Sequence, residues 1–378
     1  MRGEGAPRGR RSAVSNTSTK GSSGAGPVRI GIAGQGRSGW GIHARTIREL
    51  PEQFRVVAVA DPLAERQEQA RNELGCRAYG EFPDLLRDDE VELVVVSTPN
   101  RLHAEYSRAA LEAGKHVVCE KPFALTAAEA DATITVAKRA GRHVIPFQNR
   151  RYEANFRKVR EIVESGVLGE LLLVRLAAHS FGRRWDWQTL LEFGGGQLAN
   201  NGPHALDQAM HFLGDGEVQL FADLRNGLSS GDAEDHAKVT MKGQNGPTVD
   251  VEVTTCAAIP QNRWLIMGTS GGLSGGSGEL SWRWVDWGTM PPRPVDRRPT
   301  PDRSYNREQL EWKEETWQAP KEGISDNRAF YEDLYRTLRE GAPPAITAES
   351  ARRYVEILER CRAQYTPQKA AAAAGSAR

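Results

Sequence analysis

Short apolar runs alternate with helical segments through the first half of the chain. The runs VRIGIAG, FRVVAVADP and VELVVVSTP begin at residues 28, 54 and 91, and KHVVCEKP and RHVIPFQN follow them. Each run is rich in Val and Ile and nearly continuous, which predicts strands that are buried on both faces. Strands that alternate with helices are typical of a parallel, doubly wound sheet, so this half predicts an α/β fold.

The segments between these strands carry helical patterns. Helices are expected from about Ser38 to Leu50, over RLHAEYSRAALEAG and over TAAEADATITVAKRAG. In the last of these, Thr126 is followed three residues later by Glu129, which is the arrangement of a capping box. The helix is therefore predicted to begin just after Thr126.

Adjacent strands replace this alternation from Gln148 onward. An amphipathic helix, ANFRKVREIVESG, precedes a long strand, GELLLVRLAAHSF, and the runs RWLIMGTSGG and ELSWRWVDW predict further strands. The runs AKVTMKG and PTVDVEVTT alternate apolar and polar residues, and Asn245-Gly246 between them predicts a hairpin. The polar stretch from Asp302 to Glu315 predicts only a surface excursion. This half therefore predicts an α+β fold with a sheet of its own.

These patterns divide the chain into four segments. Residues 1–27 hold almost no large apolar side chains, and a disordered tail is expected there and again over residues 367–378. The Arg- and Ser-rich first segment also faintly resembles an organelle transit peptide, and translation from Val14 would leave residues 1–13 out of the mature protein. Between the tails, a doubly wound domain is expected over 28–147 and a second domain over 148–366.

Composition and charge narrow the class of protein. The chain has 378 residues, 39% of them hydrophobic, and a formal net charge of +1, so nothing in its charge favours a nucleic acid partner. No apolar run approaches the roughly 20 residues that cross a bilayer. The four cysteines have no metal-ligand spacing, which predicts free thiols, no metal site and a cytoplasmic location: Cys76, Cys119, Cys256 and Cys361.

A glycine motif directly follows the first predicted strand and opens the first helix. In GQGRSG, Gly34 permits a tight turn, Gly36 lets a diphosphate approach the backbone, and Gly39 lets helix and strand pack closely. Asp61 ends the next strand, where an acid accepts hydrogen bonds from the adenosine ribose. This context predicts NAD as the cofactor. Arg37 inside the loop could offset repulsion of a 2′-phosphate, so NADP is not excluded.

Polar residues also follow two later strands, at the sheet edge where doubly wound folds bind ligands. STPN ends one strand, and CEKP places Glu120 and Lys121 at the end of another. An ammonium there can stabilise negative charge that develops on a substrate oxygen. The alternative is a surface lysine paired with Glu120. The predicted cofactor-binding residues are Gly34, Gln35, Gly36, Arg37, Ser38, Gly39, Asp61, Thr98, Pro99, Asn100, His103, Glu120 and Lys121.

A third polar motif, GGGQLANNGPHALD, runs from Gly194 to Asp207. His204 is the best candidate proton acceptor, because imidazole titrates near neutral pH. Asp207 would either orient that ring or be an exposed acid. The preceding FGRRWDWQ contains Trp185 and Trp187, which could stack on a sugar ring. Arg184 or Asp186 could bind the hydroxyls of that ring. Ordinary packing of the two tryptophans is the alternative.

These motifs together resemble the Gfo/Idh/MocA family of oxidoreductases over roughly residues 28 to 270. The resemblance implies a Rossmann domain, a second domain with a large, open, mostly antiparallel sheet that commonly forms a dimer or tetramer interface, a nicotinamide cofactor and a sugar or polyol substrate. It also implies that Arg151 and Tyr152 face the cleft. Asn200 stands where many family members have an aspartate, so it is assigned to hydroxyl binding rather than to proton transfer.

The hypothesis from the sequence is an NAD(P)-dependent oxidoreductase that acts on a secondary alcohol or ketone of a sugar or cyclitol. Lys121 polarises the reacting oxygen, and His204 exchanges its proton. One alternative is a glycosidase that uses bound NAD for transient oxidation and elimination. The other is a cofactor-binding regulatory protein without turnover.

Overall fold

The computed structural model of the protein describes residues 26–214, 216–300, 303–320 and 327–367. The two predicted tails, 1–27 and 367–378, lie outside these residues except for their inner ends. Six parallel strands form one sheet in the order β3-β2-β1-β4-β5-β6. Their bounds are β1 Val28–Ala33, β2 Phe54–Ala60, β3 Arg77–Tyr79, β4 Leu93–Val96, β5 His116–Cys119 and β6 Val144–Pro146. This order is that of a doubly wound Rossmann sheet, as predicted.

Helices cover both faces of this sheet and link it to the rest of the chain. The first begins as a π-helical turn, Gly39–Ala44, and continues into α1. The helices are α1 Arg45–Arg48, α2 Ala64–Leu74, α3 Phe82–Leu86, α4 His103–Glu112, α5 Ala127–Ala140, α6 Ala154–Glu164, α7 Gln197–Asn200, α8 Gly202–Met210, α9 Asn327–Tyr335 and α10 Ala348–Arg362. Among the described residues, none of them is long and apolar enough to cross a membrane.

The capping prediction at α5 is confirmed, with one difference. The Thr126 hydroxyl accepts a hydrogen bond from the Glu129 amide at 3.2 Å. The Glu129 carboxylate accepts from the amide of Leu125, at 2.9 Å, rather than from that of Thr126. Two N-terminal amides are thus satisfied, and α5 begins at Ala127 as expected.

A second sheet of eight strands follows in the order β14-β13-β12-β11-β7-β10-β9-β8. Its strands are β7 Leu171–His179, β8 Gln219–Arg225, β9 His236–Lys242, β10 Thr248–Thr254, β11 Trp264–Gly268, β12 Gly271–Gly275, β13 Glu279–Val285 and β14 Trp312–Gln318. All neighbours are antiparallel except β7 and β10, which run parallel. The predicted hairpin is confirmed as β9 and β10, with Lys242 opposite Thr248.

Two strands of this sheet correct the sequence interpretation. RWLIMGTSGG was expected to be a single strand, but it divides between β11 and the glycine-rich β12. The polar stretch to Glu315 is only partly an excursion, because its last residues begin β14, which pairs with β13. The strand at the edge of a sheet tolerates charged side chains, so β14 lacks the apolar alternation that identified the other strands.

The last helices pack against the first sheet. Phe330 and Tyr331 of α9 are buried in the cluster that contains Ile30 of β1 and Phe54 of β2. From α10, the Tyr354 hydroxyl accepts a hydrogen bond from the Phe123 amide at 2.7 Å. These contacts join the end of the chain to the Rossmann sheet, while the predicted domain boundaries stay a prediction.

Candidate active site

A cleft of about 1010 Å³ lies at the carboxyl ends of the parallel strands. Its walls include the glycine loop, the ends of β2, β4 and β5, the segments after β3 and β6, parts of α4, α7 and α8, the loop before α7 and the start of α9. Many of the residues predicted for the site share this cleft. They are Gly34, Gly36, Arg37, Ser38, Asp61, Thr98, Pro99, Asn100, His103, Glu120, Lys121, Arg184, Trp187, Asn200 and His204.

The three glycines of the loop have three different surroundings. Gly34 has φ +88°, and a Cβ there would lie 2.6 Å from the Ser97 carbonyl oxygen. A Cβ on Gly39 would overlap the Gly34 carbonyl oxygen, whereas nothing lies within 4 Å of a Cβ on Gly36. The open space at Gly36 faces the cleft beside the amides of the following helical turn, so the loop fits a diphosphate.

Asp61 is buried and binds the loop from the end of β2. Its carboxylate accepts hydrogen bonds from the amides of Gln35, at 2.7 Å, and Leu63, at 3.0 Å. Arg66 donates to it at 3.2 Å. Gln35 therefore contributes through its backbone, since its side chain is buried and bonded to the Ile32 carbonyl. Sequence reasoning missed a stacked aromatic pair that lines the same end, Phe82 and Tyr106, with ring centroids 4.0 Å apart.

Glu120 lies at the end of β5 and is almost fully buried. Its carboxylate accepts hydrogen bonds from the Ser38 hydroxyl and from the Lys121 amide, and His43 lies 3.3 Å away. The other nitrogen of His43 is 2.7 Å from the Tyr331 hydroxyl of α9. Burial opposes the ionisation of Glu120, but the hydrogen bond and charge of His43 hold the pKa of this carboxyl well below its usual range. Glu120 therefore stays charged behind the cleft.

Lys121 reaches across the cleft to the second polar motif. Its ammonium donates to the backbone carbonyl of Asn200 at 2.9 Å and to the side-chain oxygen at 3.1 Å. Burial lowers the pKa of Lys121 to about 8, opposed by Glu120 and assisted by the Arg37, Arg150 and Arg184 guanidiniums. Lys121 can therefore gain or lose a proton near neutral pH.

His204 lies on α8, one turn after Asn200, and only 6% of it is exposed. Its Nδ1 is 3.2 Å from the amide oxygen of Gln148. Since that oxygen only accepts, Nδ1 carries the hydrogen in this bond and Nε2 is the basic nitrogen. Burial, then the charges of Arg150 and Lys121, lower the pKa of His204 well below its usual value. The ring is therefore neutral at neutral pH.

The sequence left Asp207 as either a residue that orients the His204 ring or an exposed acid, and the structure corrects both interpretations. It is buried rather than exposed, and it binds Arg151, whose Nε is 2.7 Å from its Oδ2, rather than His204. Arg151 also donates to Ser350 of α10, and the Tyr152 hydroxyl donates to Asp333. None of these three predicted binding residues is among those that line the cleft. Their neighbour Arg150 does line the cleft, because the turn after β6 points adjacent side chains in different directions.

The loop from Phe181 to Gln188 closes one side of the cleft. Arg184 is bound to both oxygens of Asp186, at 2.9 and 2.8 Å, and to Gln188 at 2.6 Å. Trp187 lines the cleft and is 37% exposed, but Trp185 is 77% exposed and is not among the lining residues.

Two predicted residues, Asn100 and His103, support the walls of the cleft through hydrogen bonds to backbone carbonyls. Asn100 donates to the Gly194 carbonyl at 2.9 Å, and the His103 ring lies between the Thr98 and Pro122 carbonyls.

A buried glutamate supports α7 and was missed at the sequence level. The Glu234 carbonyl accepts from the Gln197 amide at 2.8 Å, and its carboxylate accepts from the Leu198 amide at 3.0 Å. A Cβ on Gly196, which has φ +101°, would overlap this carboxylate. Burial, opposed by Arg362, raises the pKa of Glu234 to about 7. Glu234 thus sets the position of the short helix that carries Asn200.

Two family models match the chain in succession. The first, described as an oxidoreductase family with an NAD-binding Rossmann fold, matches residues 28–147. The second, described as the GFO/IDH/MocA C-terminal domain, matches residues 156–274.

Sequence relatives include an uncharacterised oxidoreductase of Schizosaccharomyces pombe and the myo-inositol 2-dehydrogenase of Thermotoga maritima. The first is 31% identical over 258 residues, which are 65% of this chain and 70% of the relative. The second is 31% identical over 198 residues, which are 52% of this chain and 58% of the relative. A further S. pombe oxidoreductase, 34% identical, is matched over 50% of this chain and 52% of its own length. The chain thus spans between about half and 70% of these relatives.

Solved structures extend the similarity to both sheets. An NAD-binding protein from Listeria innocua is 29% identical with a TM-score of 0.74, covering 89% of this chain and 97% of that one. The WlbA dehydrogenase of Chromobacterium violaceum, solved with NADH and UDP-GlcNAcA, shares the fold at 18% identity, with a TM-score of 0.72 over 89% and 93% of the two chains.

Proposed function

We propose, from the premise that this chain belongs to the Gfo/Idh/MocA family of NAD-binding oxidoreductases, that it transfers a hydride between nicotinamide and a secondary alcohol carbon of a sugar or cyclitol. One observation carries the proposal. Lys121, whose pKa is about 8, and His204, which is held neutral, line the same cleft as a glycine loop shaped for a diphosphate. Proton exchange and cofactor binding are thereby brought together.

The cofactor would be held at the β1 end of the cleft. The amides after Gly36 would bind the diphosphate, and Asp61 would accept hydrogen bonds from the adenosine ribose. When bound, the nicotinamide supplies the hydride acceptor or donor. The protein's own residues supply position, charge and proton exchange.

Lys121 would polarise the reacting oxygen. Its bonds to Asn200 place the ammonium on the floor of the cleft, at 2.9 and 3.1 Å from two oxygens of that residue. An ammonium that is already oriented stabilises an alkoxide without reorganisation, which lowers the barrier. Asn200 positions the ammonium and can accept a substrate hydroxyl, but it carries no charge.

His204 would take the hydroxyl proton during oxidation and return it during reduction. Gln148 holds the hydrogen on Nδ1, so that Nε2 is free to accept a proton. Because burial, assisted by the neighbouring cations, lowers its pKa and keeps the ring neutral, His204 can act as a base even below pH 7. Because residue 200 is not an acid, no charge there stabilises the protonated ring, and the ring stays neutral before it accepts the proton.

A dehydrogenase screen tests the proposal. The protein is incubated with NAD or NADP and with inositols, hexoses or their keto forms, and absorbance of the reduced cofactor is followed. We expect steady turnover with at least one polyol. Release of aglycone from an aryl glycoside without net NADH would favour the glycosidase alternative, and the absence of any turnover would contradict both enzymes.

We further propose that the chain forms a homo-oligomer through the outer face of the second sheet. Strands β11 to β14 form an apolar groove of about 710 Å³ there. Met267 is 45% exposed, Trp287 49% and Trp312 43%. Exposed apolar surface of this kind marks interfaces. Light scattering should show an oligomer that Met267→Asp dissociates and that Leu63→Asp, elsewhere on the surface, does not; a monomer at micromolar concentration would contradict this.

A further inference from the structure

The substrate end of the cleft carries more positive than negative charge. Lys121, Arg150 and Arg184 line it, together with the acids Glu120 and Asp186. Glu120 is occupied by Ser38 and His43 on the far side of Lys121. Among the described residues, no carboxylate forms an ion pair with Lys121, whose ammonium is bound only by the neutral Asn200.

Among the residues that the structure describes, Arg150 has one acidic partner, which it shares with another guanidinium. Its Nε lies 3.6 Å from Glu153, and Arg263 lies 3.2 Å from the same carboxylate. One acid therefore serves two cations. The backbone of Arg150 is fixed, because its carbonyl accepts a hydrogen bond from Gln208 of α8 at 2.7 Å. Arg150 is thus a positioned cation that is incompletely neutralised.

Arg184 approaches the cleft from the opposite loop. Asp186 and Gln188 bind its Nε and Nη2 and orient the guanidinium plane. The hydrogen bonds to Asp186 and Gln188 leave Nη1 of Arg184 out. Arg150 and Arg184 line the same cleft as the reacting groups Lys121 and His204. Burial is the main cause that lowers the pKa of both reacting groups; Arg150 and Arg184 lower that of Lys121 further, and Arg150 lowers that of His204.

We propose that the substrate is a polyol bearing an anionic group, a carboxylate or a phosphate, which Arg150 and Arg184 bind beside the reacting carbon. This deepens the proposed function and rests on it. Guanidiniums bind planar or tetrahedral oxyanions through paired hydrogen bonds, and such charge-assisted bonds are stronger than those to a neutral hydroxyl. A neutral substrate would add no negative charge to an end of the cleft whose lining cations outnumber its acids. Asn200 fits the same reading, because an acid there would repel an anion.

Matched probes test the proposal by binding as well as by turnover. Glucose, glucuronate and glucose 6-phosphate form one set, and myo-inositol and an inositol monophosphate form a second. Affinity for the NADH-loaded protein is measured by calorimetry, and oxidation is measured with saturating NAD. We expect at least one anionic probe to bind ten-fold or more tightly than its neutral counterpart, with the preference falling as salt rises. Comparison of glucuronate with the two phosphate-bearing probes identifies whether a carboxylate or a phosphate is bound.

Arg150→Gln should abolish this preference, because it removes one of the two guanidiniums of the proposed oxyanion site. Arg160→Gln, an exposed residue that pairs with Glu164 on α6, is the matched control and should keep the preference. Equal or weaker binding of every anionic probe overturns the inference, as does an unchanged preference in Arg150→Gln. Arg150-dependent binding without any NADH formation would instead contradict the proposed function alone, whereas oxidation of neutral polyols only would contradict this inference alone.

Discussion

The two ends of the cleft are built in different ways. The cofactor end is formed mainly by backbone: the amides of a six-residue glycine loop, supported by Asp61 from the next strand. The substrate end is formed by side chains from four distant segments, such as Lys121, Arg150, Arg184 and His204. Shape at the first end depends on the absence of Cβ atoms. Chemistry at the second depends on burial and on neighbouring charges, which shift pKa values.

This difference predicts that substitutions at the two ends affect separate measurements. The substrate end should control turnover and its pH dependence. The cofactor end should control NADH affinity and the stability of the fold, with little change in pH dependence.

The largest effect is expected from Lys121→Ala. Loss of the ammonium should lower kcat by about 10³-fold, and His204→Ala by about 10²-fold or more, because both lose groups that act in the transition state. NADH affinity, measured by fluorescence titration, should change less than three-fold. Lys138→Ala, on the exposed side of α5, serves as the control. If the kcat of Lys121→Ala lies within ten-fold of the wild-type value, the proposed mechanism is wrong.

Two glycine variants separate packing from cofactor binding at the other end. Gly39→Ala should destabilise the protein by several kcal/mol, since its Cβ would overlap the Gly34 carbonyl oxygen. Gly36→Ala has open space around its Cβ and should leave the melting temperature without cofactor unchanged, while weakening NADH binding by about 10- to 100-fold. Calorimetry with and without NADH measures both. Equal loss of stability in the two variants would contradict this division.

Glu234→Gln should change how stability depends on pH. The folded pKa of about 7 lies above the ordinary value, so the native protein binds an extra proton between about pH 4.5 and 7 and loses stability as pH rises through this window. The free energy of unfolding of wild type should therefore fall, relative to that of the neutral variant, by on the order of 2 kcal/mol when the pH rises from 5 to 8. Urea unfolding at both pH values measures this. Glu164→Gln, an exposed residue, should keep the wild-type profile, and a wild-type profile in Glu234→Gln would be the contrary result.

The smallest effect is expected from Asn200→Asp. A new negative charge beside the site should raise the pKa of both His204 and Lys121, by about one unit. Since His204 acts when neutral and Lys121 when protonated, both limbs of the pH–rate profile should move upward. Asn200→Ala should instead raise KM more than it lowers kcat, without the upward shift of the two limbs. An unshifted acid limb in the aspartate variant would show that His204 is not the base.

The sequence predicted much of the fold and about half of the residues that line the cleft, and the errors have physical causes. The buried parallel strands stand out because both of their faces are apolar. The glycine-rich β12 and the charged β14 were missed, because their pairing depends on neighbouring strands. Gln148 was missed as a partner of His204, although its position just after β6, at the ligand-binding edge of the sheet, was a usable signal.

What the sequence determined by itself was local. The alternation of strands and helices, the glycine loop and the placing of Asp61 and Lys121 at strand ends all follow from short-range patterns. Only the tertiary structure decided which neighbouring residues share the cleft. His204 faces it, whereas Asp207 on the same helix is buried against Arg151. Burial and charge pairing are set by elements far apart in the chain, so no local pattern could distinguish the two.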